Sequence, residues 1–288
     1  PTPISPEIIG EREKFLIYGA PKRGKTFLAL TAPEPIYMLC IGGDNEVKTY
    51  FGEDFQKKHG TKDLSIDAIK ENVDKMGRVK EPQGFDDVCK ALDEALELDE
   101  KEEFPSQTGT FETLIIDNAT VMQEFQMNKT IHIANTARDP DKTGYSTWEA
   151  YTKHGILTPF DSDWGGAQSL MQDWVSWMFN LDKNIIFIAH EYEVTRTSRA
   201  TQVQEIVGIR PLFVGKQRTR IANAFDNVWR MTKNAQKYEA RTTPGGEIAD
   251  LIAGTRLGGI VPNDYQDPNI SKTIEKFKQQ AIKVGSKK

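Results

Sequence analysis

Residues Gly19-Ala20-Pro21-Lys22-Arg23-Gly24-Lys25-Thr26 fit the spacing G-x-x-x-x-G-K-[ST]. Holding a polyphosphate calls for this spacing. Gly19 and Gly24 open backbone conformations closed to other residues, so successive N–H groups can point inward at phosphate oxygens. A helix starting near Lys25 would add the positive end of its dipole. Lys25 would bring a cation to the β- and γ-phosphates, and the Thr26 hydroxyl would be a ligand for Mg²⁺. Phe27 closes the expected nucleotide-binding segment, Gly19 to Phe27. The bland alternative is a plain tight turn. Against it, the motif has its expected setting, an apolar strand before and helical character after.

Four further groups could complete the chemistry. Leu114-Ile115-Ile116-Asp117 is an apolar run ending in an acid, a weak signal alone. Downstream of a phosphate-binding loop it reads as a Walker-B strand, with Asp117 holding Mg²⁺ through water. A carboxylate near the γ-phosphate is expected to activate the attacking water. Asp44 and Glu46 are the candidates, and surface turn acids are an equally good description of either one. Asn118, just after Asp117, is an amide and cannot act as a base. His190 ends the run Ile185 to Ala189, where a polar tip can sense the γ-phosphate; a structural histidine is the alternative. Finally, Pro211 to Arg220 carries Lys216, Arg218 and Arg220, and Asp226-Asn227-Val228-Trp229-Arg230 follows. That cluster could bind DNA phosphates, reach a nucleotide at a subunit boundary, or be solvated helix charge.

These groups need rigid elements to hold them. Phe15 to Tyr18, Ile36 to Ile41, Thr113 to Asp117 and Asn184 to Ala189 read as buried strands. Lys25 to Leu30, 119–133 and Gly165 to Asn180 read as helices, and 47–104 as mostly helical with loops. Within it, Phe85, Val88, Leu92, Ala95 and Leu96 share one helical face. Two polar stretches, Ala134 to Asp163 and Tyr192 to Gln204, read as long loops, usually functional or mobile. Strands alternating with helices predict an α/β fold with a mostly parallel core sheet. The late strands, with no long helices between them, predict an antiparallel C-terminal extension. Residues 1–270 would form one domain and 271–288 a basic tail.

Net charge over the 288 residues is -5, which does not favour nucleic acid as a partner. Local patches matter more than the total. Glu191 to Arg220 holds six cations against three carboxylates, and the segment from Ser271 onward six lysines against Glu275. Leu92 to Glu103 is acidic, as a solvated helix face would be. The two cysteines, Cys40 and Cys89, lack metal-ligand spacing and read as buried thiols of a reducing, cytoplasmic setting. The four histidines are too scattered for a metal site. No stretch approaches 18 apolar residues, and Pro1 to Ser5 has no basic segment followed by an apolar run, so neither a membrane span nor a secretory signal is expected.

In this order, the pieces resemble the RecA-like ATPase superfamily. More narrowly they are similar to phage nucleotide-binding proteins and to small phage recombinases of the "Sak-four" type. Phe15 to Thr26, Thr113 to Asp117, Asn184 to Glu191, Pro211 to Arg230 and Ala253-Gly254-Thr255-Arg256 carry the resemblance. It implies a RecA-like core with ATP and Mg²⁺ as cofactors, acting on single-stranded DNA in annealing or strand exchange. It also implies a homo-oligomer, ring or filament, a single-stranded-DNA-binding protein as a further partner, and the cytoplasm of an infected or lysogenic bacterial host. By the same resemblance the two polar loops would line a DNA channel. Arg196 and Arg199 would meet phosphates, and Tyr145 and Trp148 would stack on bases. Lys216, Arg218 and Arg256 would be the cations that reach a γ-phosphate, in cis or across a subunit boundary. One departure concerns the strand from Ile36, which runs into Cys40-Ile41-Gly42-Gly43-Asp44 rather than ending in Asp-x-Glu. Two other functions fit the motif: a regulatory or assembly NTPase without DNA affinity, and a small-molecule kinase. The kinase is disfavoured because no arginine-rich lid follows the loop at the right spacing.

Overall fold

The computed structural model describes residues 12–43, 47–75, 79, 81–137, 161–198, 202–215, 217–234, 237–245, 250–257 and 259–285. Its centre is a run of apolar strands paired in parallel: β1 (Lys14–Tyr18), β2 (Ile36–Ile41), β3 (Leu64–Ile69), β4 (Thr113–Asp117) and β5 (Asn184–Ala189). Near-continuous Ile, Leu and Phe suit strands buried on both faces. With β8 (Asn227–Asn234), β9 (Lys237–Arg241) and β12 (Asp264–Gln266), the order across the sheet is β12-β9-β8-β1-β5-β4-β2-β3, and β11 (Gly254–Thr255) pairs with β8. From β8 to β3 the neighbours are parallel, while β9, β11 and β12 add antiparallel. The fold is therefore α/β, mostly parallel with an antiparallel C-terminal extension, as the alternation of elements predicts. A second sheet holds β6 (Glu191–Thr197), β7 (Gln204–Pro211) and β10 (Asp250–Leu251).

Alternate side chains of each strand enter opposite cores, the consequence of a period of two. Leu16, Leu114, Ile116 and Phe187 face one side, where they meet α4 (Gly84–Glu100), α5 (Ala119–Ala137), α6 (Asp161–Phe179) and α7 (Gln217–Ala224). Phe15, Ile17, Ile115 and Ile188 face the other, toward α1 (Lys25–Ala29), α2 (Val47–Phe51), α3 (Glu53–His59) and α8 (Ile270–Gly285). On α4 the shared face predicted from spacing is the buried one: Phe85, Val88, Leu92 and Ala95 are in the core.

Three segments differ from their sequence pattern. Within 47–104, expected to be helices and loops, β3 pairs with β2 from Ile36↔Leu64 to Ile41↔Ile69. It is an edge strand, half-exposed, and Ser65 and Asp67 interrupt the apolar run that would have revealed it. Within Tyr192 to Gln204, expected to be a loop, Tyr192 to Thr197 and Gln204 belong to a β6–β7 hairpin whose outer rungs are polar on both faces, so no alternation marks them. The segment after Ile270, expected to be a tail, is helical to Gly285. Asn269 Oδ1 accepts from Lys272 N–H at 2.9 Å, an N-cap, and Thr31 Oγ1 accepts from Ile270 N–H at 2.9 Å. Ile270 and Ile274 are buried against the α1 side, while Lys272 and Lys276 stay exposed.

Ile274→Ala removes a fully buried side chain from beneath α8. It should lower unfolding stability by about 2–4 kcal/mol in urea titrations. An unchanged midpoint would mean that α8 is not packed on the core.

Candidate functional site

Parallel pairing brings three chain segments to one edge of the sheet. Tyr18 pairs with Ala189 and Asp117 with Ile188, so the residues that follow β1, β4 and β5 emerge side by side. Ligands of open α/β sheets bind outside these carboxyl ends. Gly19 to Gly24 leaves β1 there as a loop and enters α1. Gly19 and Gly24 both have positive φ, at 155° and 81°. Neither position has room for a side chain: a Cβ on Gly19 would lie 2.5 Å from the Met231 carbonyl oxygen, and one on Gly24 2.6 Å from the Tyr238 ring. The glycines at both ends of the motif are therefore required by conformation and by contact.

Lys25 is 8 % exposed and its ammonium donates to the carbonyls of Gly19 and Ala20, at 2.9 and 3.0 Å. The cation thus sits inside the curve of its own loop. Thr26 Oγ1 donates to Asp117 Oδ2 at 2.6 Å, across 91 positions of sequence. A hydroxyl and a carboxylate oxygen in contact are the hard donors that suit Mg²⁺. A phosphate-shaped loop, a buried lysine and this oxygen pair fit a nucleoside triphosphate with its divalent cation.

His190 and Asn118 form the other half of the edge. Asn118 Nδ2 lies 2.7 Å from His190 Nε2, and Asn118 Oδ1 accepts from Thr120 N–H at 2.8 Å. The amide nitrogen is the donor in the first contact, so Nε2 accepts and the ring proton resides on Nδ1. Nδ1 is buried and has no hydrogen-bond partner among the described residues. A buried donor left unmet is unfavourable by about 1–3 kcal/mol, and a phosphate oxygen would satisfy it. Burial holds the His190 pKa below its ordinary value, and the charge of Lys25 adds to the shift. The neutral form is thus the one the fold favours.

The network continues away from the edge. Thr120 Oγ1 accepts from His190 N–H at 3.1 Å and donates to the Leu212 carbonyl at 3.0 Å, and Leu212 N–H donates to the His190 carbonyl at 2.8 Å. Gln123 Oε1 accepts from Val214 N–H at 2.7 Å. Both ends of the β6–β7 hairpin are thereby tied to Asn118 and His190. Glu191, the next residue, is bound to Arg230 on β8 at 3.0 Å in a mostly buried pair.

Lys25, Thr26, Asp117 and His190 are therefore brought together. Arg196 is exposed on β6, paired across the hairpin with Glu205. Arg218, in the first turn of α7, lies 3.9 Å over the Tyr192 ring. Arg256 is bound to Asp226 at 2.7 Å, beside the amino ends of β1 and β8. The five residues of β1 separate it from the loop, about 16 Å of strand. It is not near the nucleotide loop of its own chain. Asp44, Glu46, Tyr145, Trp148, Arg199 and Lys216 lie outside the described residues. Sequence reasoning passed over Asn118 as an amide unable to act as a base, although an amide after the strand acid is the group that sets the histidine tautomer. Thr120 and Gln123 gave no signal, being ordinary helix residues by type.

The depressed His190 pKa has a sign that can be checked. Below pH 6.5 the unfolded chain takes up a proton that the folded chain resists, so stability falls as pH drops from 6.5 to the lower folded value. His59 and His132 shift the same way and contribute a background slope. His190→Gln should flatten the decline in urea stability between pH 7.5 and 5.5, leaving only that background. Equal slopes in variant and wild type would contradict a buried neutral imidazole.

Residues 11–256 match the family described as AAA domain. No curated protein matches the chain. Among the described residues no helix is long and apolar enough to cross a membrane. With the family match spanning the loop, the strand acid and the histidine edge, the chain belongs to the AAA domain family and is a nucleotide-binding P-loop ATPase.

Proposed function

We propose that this chain is a Mg²⁺-dependent ATPase of RecA-like type that acts on single-stranded DNA in recombination or annealing. The observation that carries the catalytic part is the cluster of Lys25, Thr26, Asp117 and His190 at one sheet edge. A bound divalent cation would supply positive charge against the negative charge that develops on the phosphates. Thr26 and Asp117 would be the residues that hold it. Lys25 exchanges the Gly19 and Ala20 carbonyls for phosphate oxygens, keeping its charge within the loop. His190 donates from Nδ1 to the terminal phosphate. Asp44 or Glu46, next to the end of β2, serves as the carboxylate that orients the attacking water.

The DNA part rests on the hairpin. Its two ends are bonded to Asn118 and His190 through Thr120 and Leu212, so occupancy of the phosphate site can bias its position. Its residues include exposed Arg196 and Tyr192, with Arg218 over the tyrosine ring. Arg199, Tyr145 and Trp148 complete the proposed channel. RecA-like cores stack head-to-tail, a heterologous contact that makes rings or filaments. In such an assembly Lys216, Arg218 or Arg256 of one copy would approach the nucleotide of the next, and a single-stranded-DNA-binding protein would be a natural partner. The host cytoplasm, bacterial and phage-infected, is the proposed setting.

Lys25→Ala and Asp117→Asn should each abolish most hydrolysis, and single-stranded DNA should raise the wild-type rate. Near wild-type turnover in either variant would sink the site assignment. Turnover without DNA stimulation would instead favour a regulatory or assembly switch that does not bind DNA.

The double variant Arg196→Ala/Arg199→Ala should bind a labelled oligonucleotide more weakly, with a log–log salt slope shallower by about 1.4. Its ATP binding should match wild type, because the loop is untouched. An unchanged slope by fluorescence anisotropy would move the DNA contact elsewhere, with the α8 lysines next to be tested.

A further inference from the structure

The two faces of the sheet carry helices of opposite charge. On one side, α4 holds seven carboxylates against one lysine, Lys90. On the α1 side, α8 holds four lysines against Glu275. Asp86, Asp93, Glu97 and Glu100 recur at helical spacing as one exposed strip, and Lys272, Lys276 and Lys283 form another. The two helices are nearly equal in length, 17 and 16 residues, about 25 Å each. Both meet the chain around the amino end of β2, from opposite sides. Tyr37 Oη contacts the Ala91 carbonyl of α4 at 3.2 Å, and Ser271 Oγ of α8 donates to the Thr31 carbonyl at 2.7 Å.

Neither strip suits its own helix. The last turn of α4 holds Glu97, Asp99 and Glu100 and no base, although that end of the helix dipole is negative. The first turn of α8 holds Lys272 and no acid, although that end is positive. Like charges also stand four residues apart, Asp93 with Glu97 and Lys272 with Lys276, a repulsive spacing on a helix. The rest of the chain offsets only part of this. Asp99 turns inward to Lys183, and Asp86 meets Lys129. Glu94 and Glu97 have exposed partners from α4 and its cap, Lys90 and Lys101. Asp87, Asp93, Lys272 and Lys276 have no ion-pair partner among the described residues.

We infer that α8 of one copy docks on α4 of the next, so that copies of this chain stack sheet over sheet through the two strips. The inference rests on the head-to-tail assembly proposed above and names its contact. The last turn of α4 then faces the first turn of α8, and charge and dipole are matched together. The strips lie on opposite layers, so a twofold pair would set acid on acid or lysine on lysine. Only a heterologous contact mates unlike strips. The phosphate loop enters α1, on the same layer as α8. The contact therefore turns the α4 layer of a neighbour, which includes α7 and its Arg218, toward the nucleotide.

Sedimentation velocity with Mg²⁺ and ATP, with and without a labelled oligonucleotide, tests the contact. Wild-type protein should self-associate, and more weakly at about 0.5 M salt than at about 0.05 M. Lys272→Glu/Lys276→Glu and Asp93→Lys/Glu97→Lys should each weaken self-association by roughly tenfold or more. All four residues are exposed, so both variants keep their cores. A one-to-one mixture of the two variants should restore association, because each reversed strip then meets its opposite. Unchanged association in both variants would overturn the α4–α8 contact while leaving a stack in place. A mixture that stayed dissociated would overturn it as well. Loss of oligonucleotide binding in Lys272→Glu/Lys276→Glu, with self-association intact, would give α8 to nucleic acid and overturn it too. Wild-type protein that stayed monomeric in every condition would overturn the assembly itself and the contact with it.

Discussion

The contact between Thr26 Oγ1 and Asp117 Oδ2 depends on everything the sheet does. It joins the loop after β1 to the end of β4, with β5 lying between them. Alternation along β4 decides which way Asp117 points. Ile115 packs on the α1 side and Leu114 and Ile116 on the other, so Asp117, two beyond Ile115, shares the α1 face. Thr26 belongs to α1 and waits there. A slip of one residue in the β4–β5 register would turn the carboxylate into the core beneath α4, α5 and α6, where an unpaired charge is intolerable. The apolar residues of β4 thus fix the site as firmly as its one acid does.

The same edge is held from the β8 side. Gly19 passes against the Met231 carbonyl and Gly24 against the Tyr238 ring, both from strands of the β8–β9 pair. Arg230, one residue before Met231, binds Glu191, one residue after His190. Two flanking strands therefore position the loop and the histidine relative to each other. Removing one partner of that mostly buried pair would leave the other charge uncompensated, the costly direction for buried ion pairs. Such a pair contributes little net stability, but it makes one arrangement of the edge much better than its neighbours.

What the sequence revealed follows from which forces are local. A buried strand must be apolar along its whole length, so Ile36 to Ile41, Thr113 to Asp117 and Asn184 to Ala189 are legible with their ends. The loop is legible because its glycines and lysine stand at a fixed local spacing, although Met231 and Tyr238 also press on the glycines from elsewhere in the chain. β3 is not, because an edge strand needs only its hydrogen bonds to β2 and tolerates Ser65 and Asp67. The hairpin's outer rungs are not, because Thr195, Arg196 and Thr197 bury nothing. The packed helix at Ile270 is masked by its lysines, although Ile270, Ile274 and Phe277 recur at helical spacing beneath them. The partners of His190 are illegible in principle: Asn118 and Thr120 are 72 and 70 positions away, and only the fold brings them near.

The histidine edge also sets a limit on how strongly nucleotide could be felt at the hairpin. A ligand shifts an equilibrium only by its differential affinity for the two states. Asn118 has both ends engaged, with His190 and with the Thr120 N–H, so a phosphate that recruited it would break bonds already made. His190 Nδ1 has no partner to lose among the described residues. A phosphate oxygen arriving there gains what an unmet buried donor forfeits, about 1–3 kcal/mol. Converted to an equilibrium, that is about a 5- to 150-fold effect, the usual range of coupling between sites. Whatever part of it is lost when the hairpin moves passes through the chain from His190 into Glu191, through the Leu212 N–H bond to the His190 carbonyl, and through Thr120, whose hydroxyl accepts from the His190 backbone and donates to Leu212. One hydroxyl thus joins the end of β5 to the far end of the hairpin, and it does so without any charge that salt could screen.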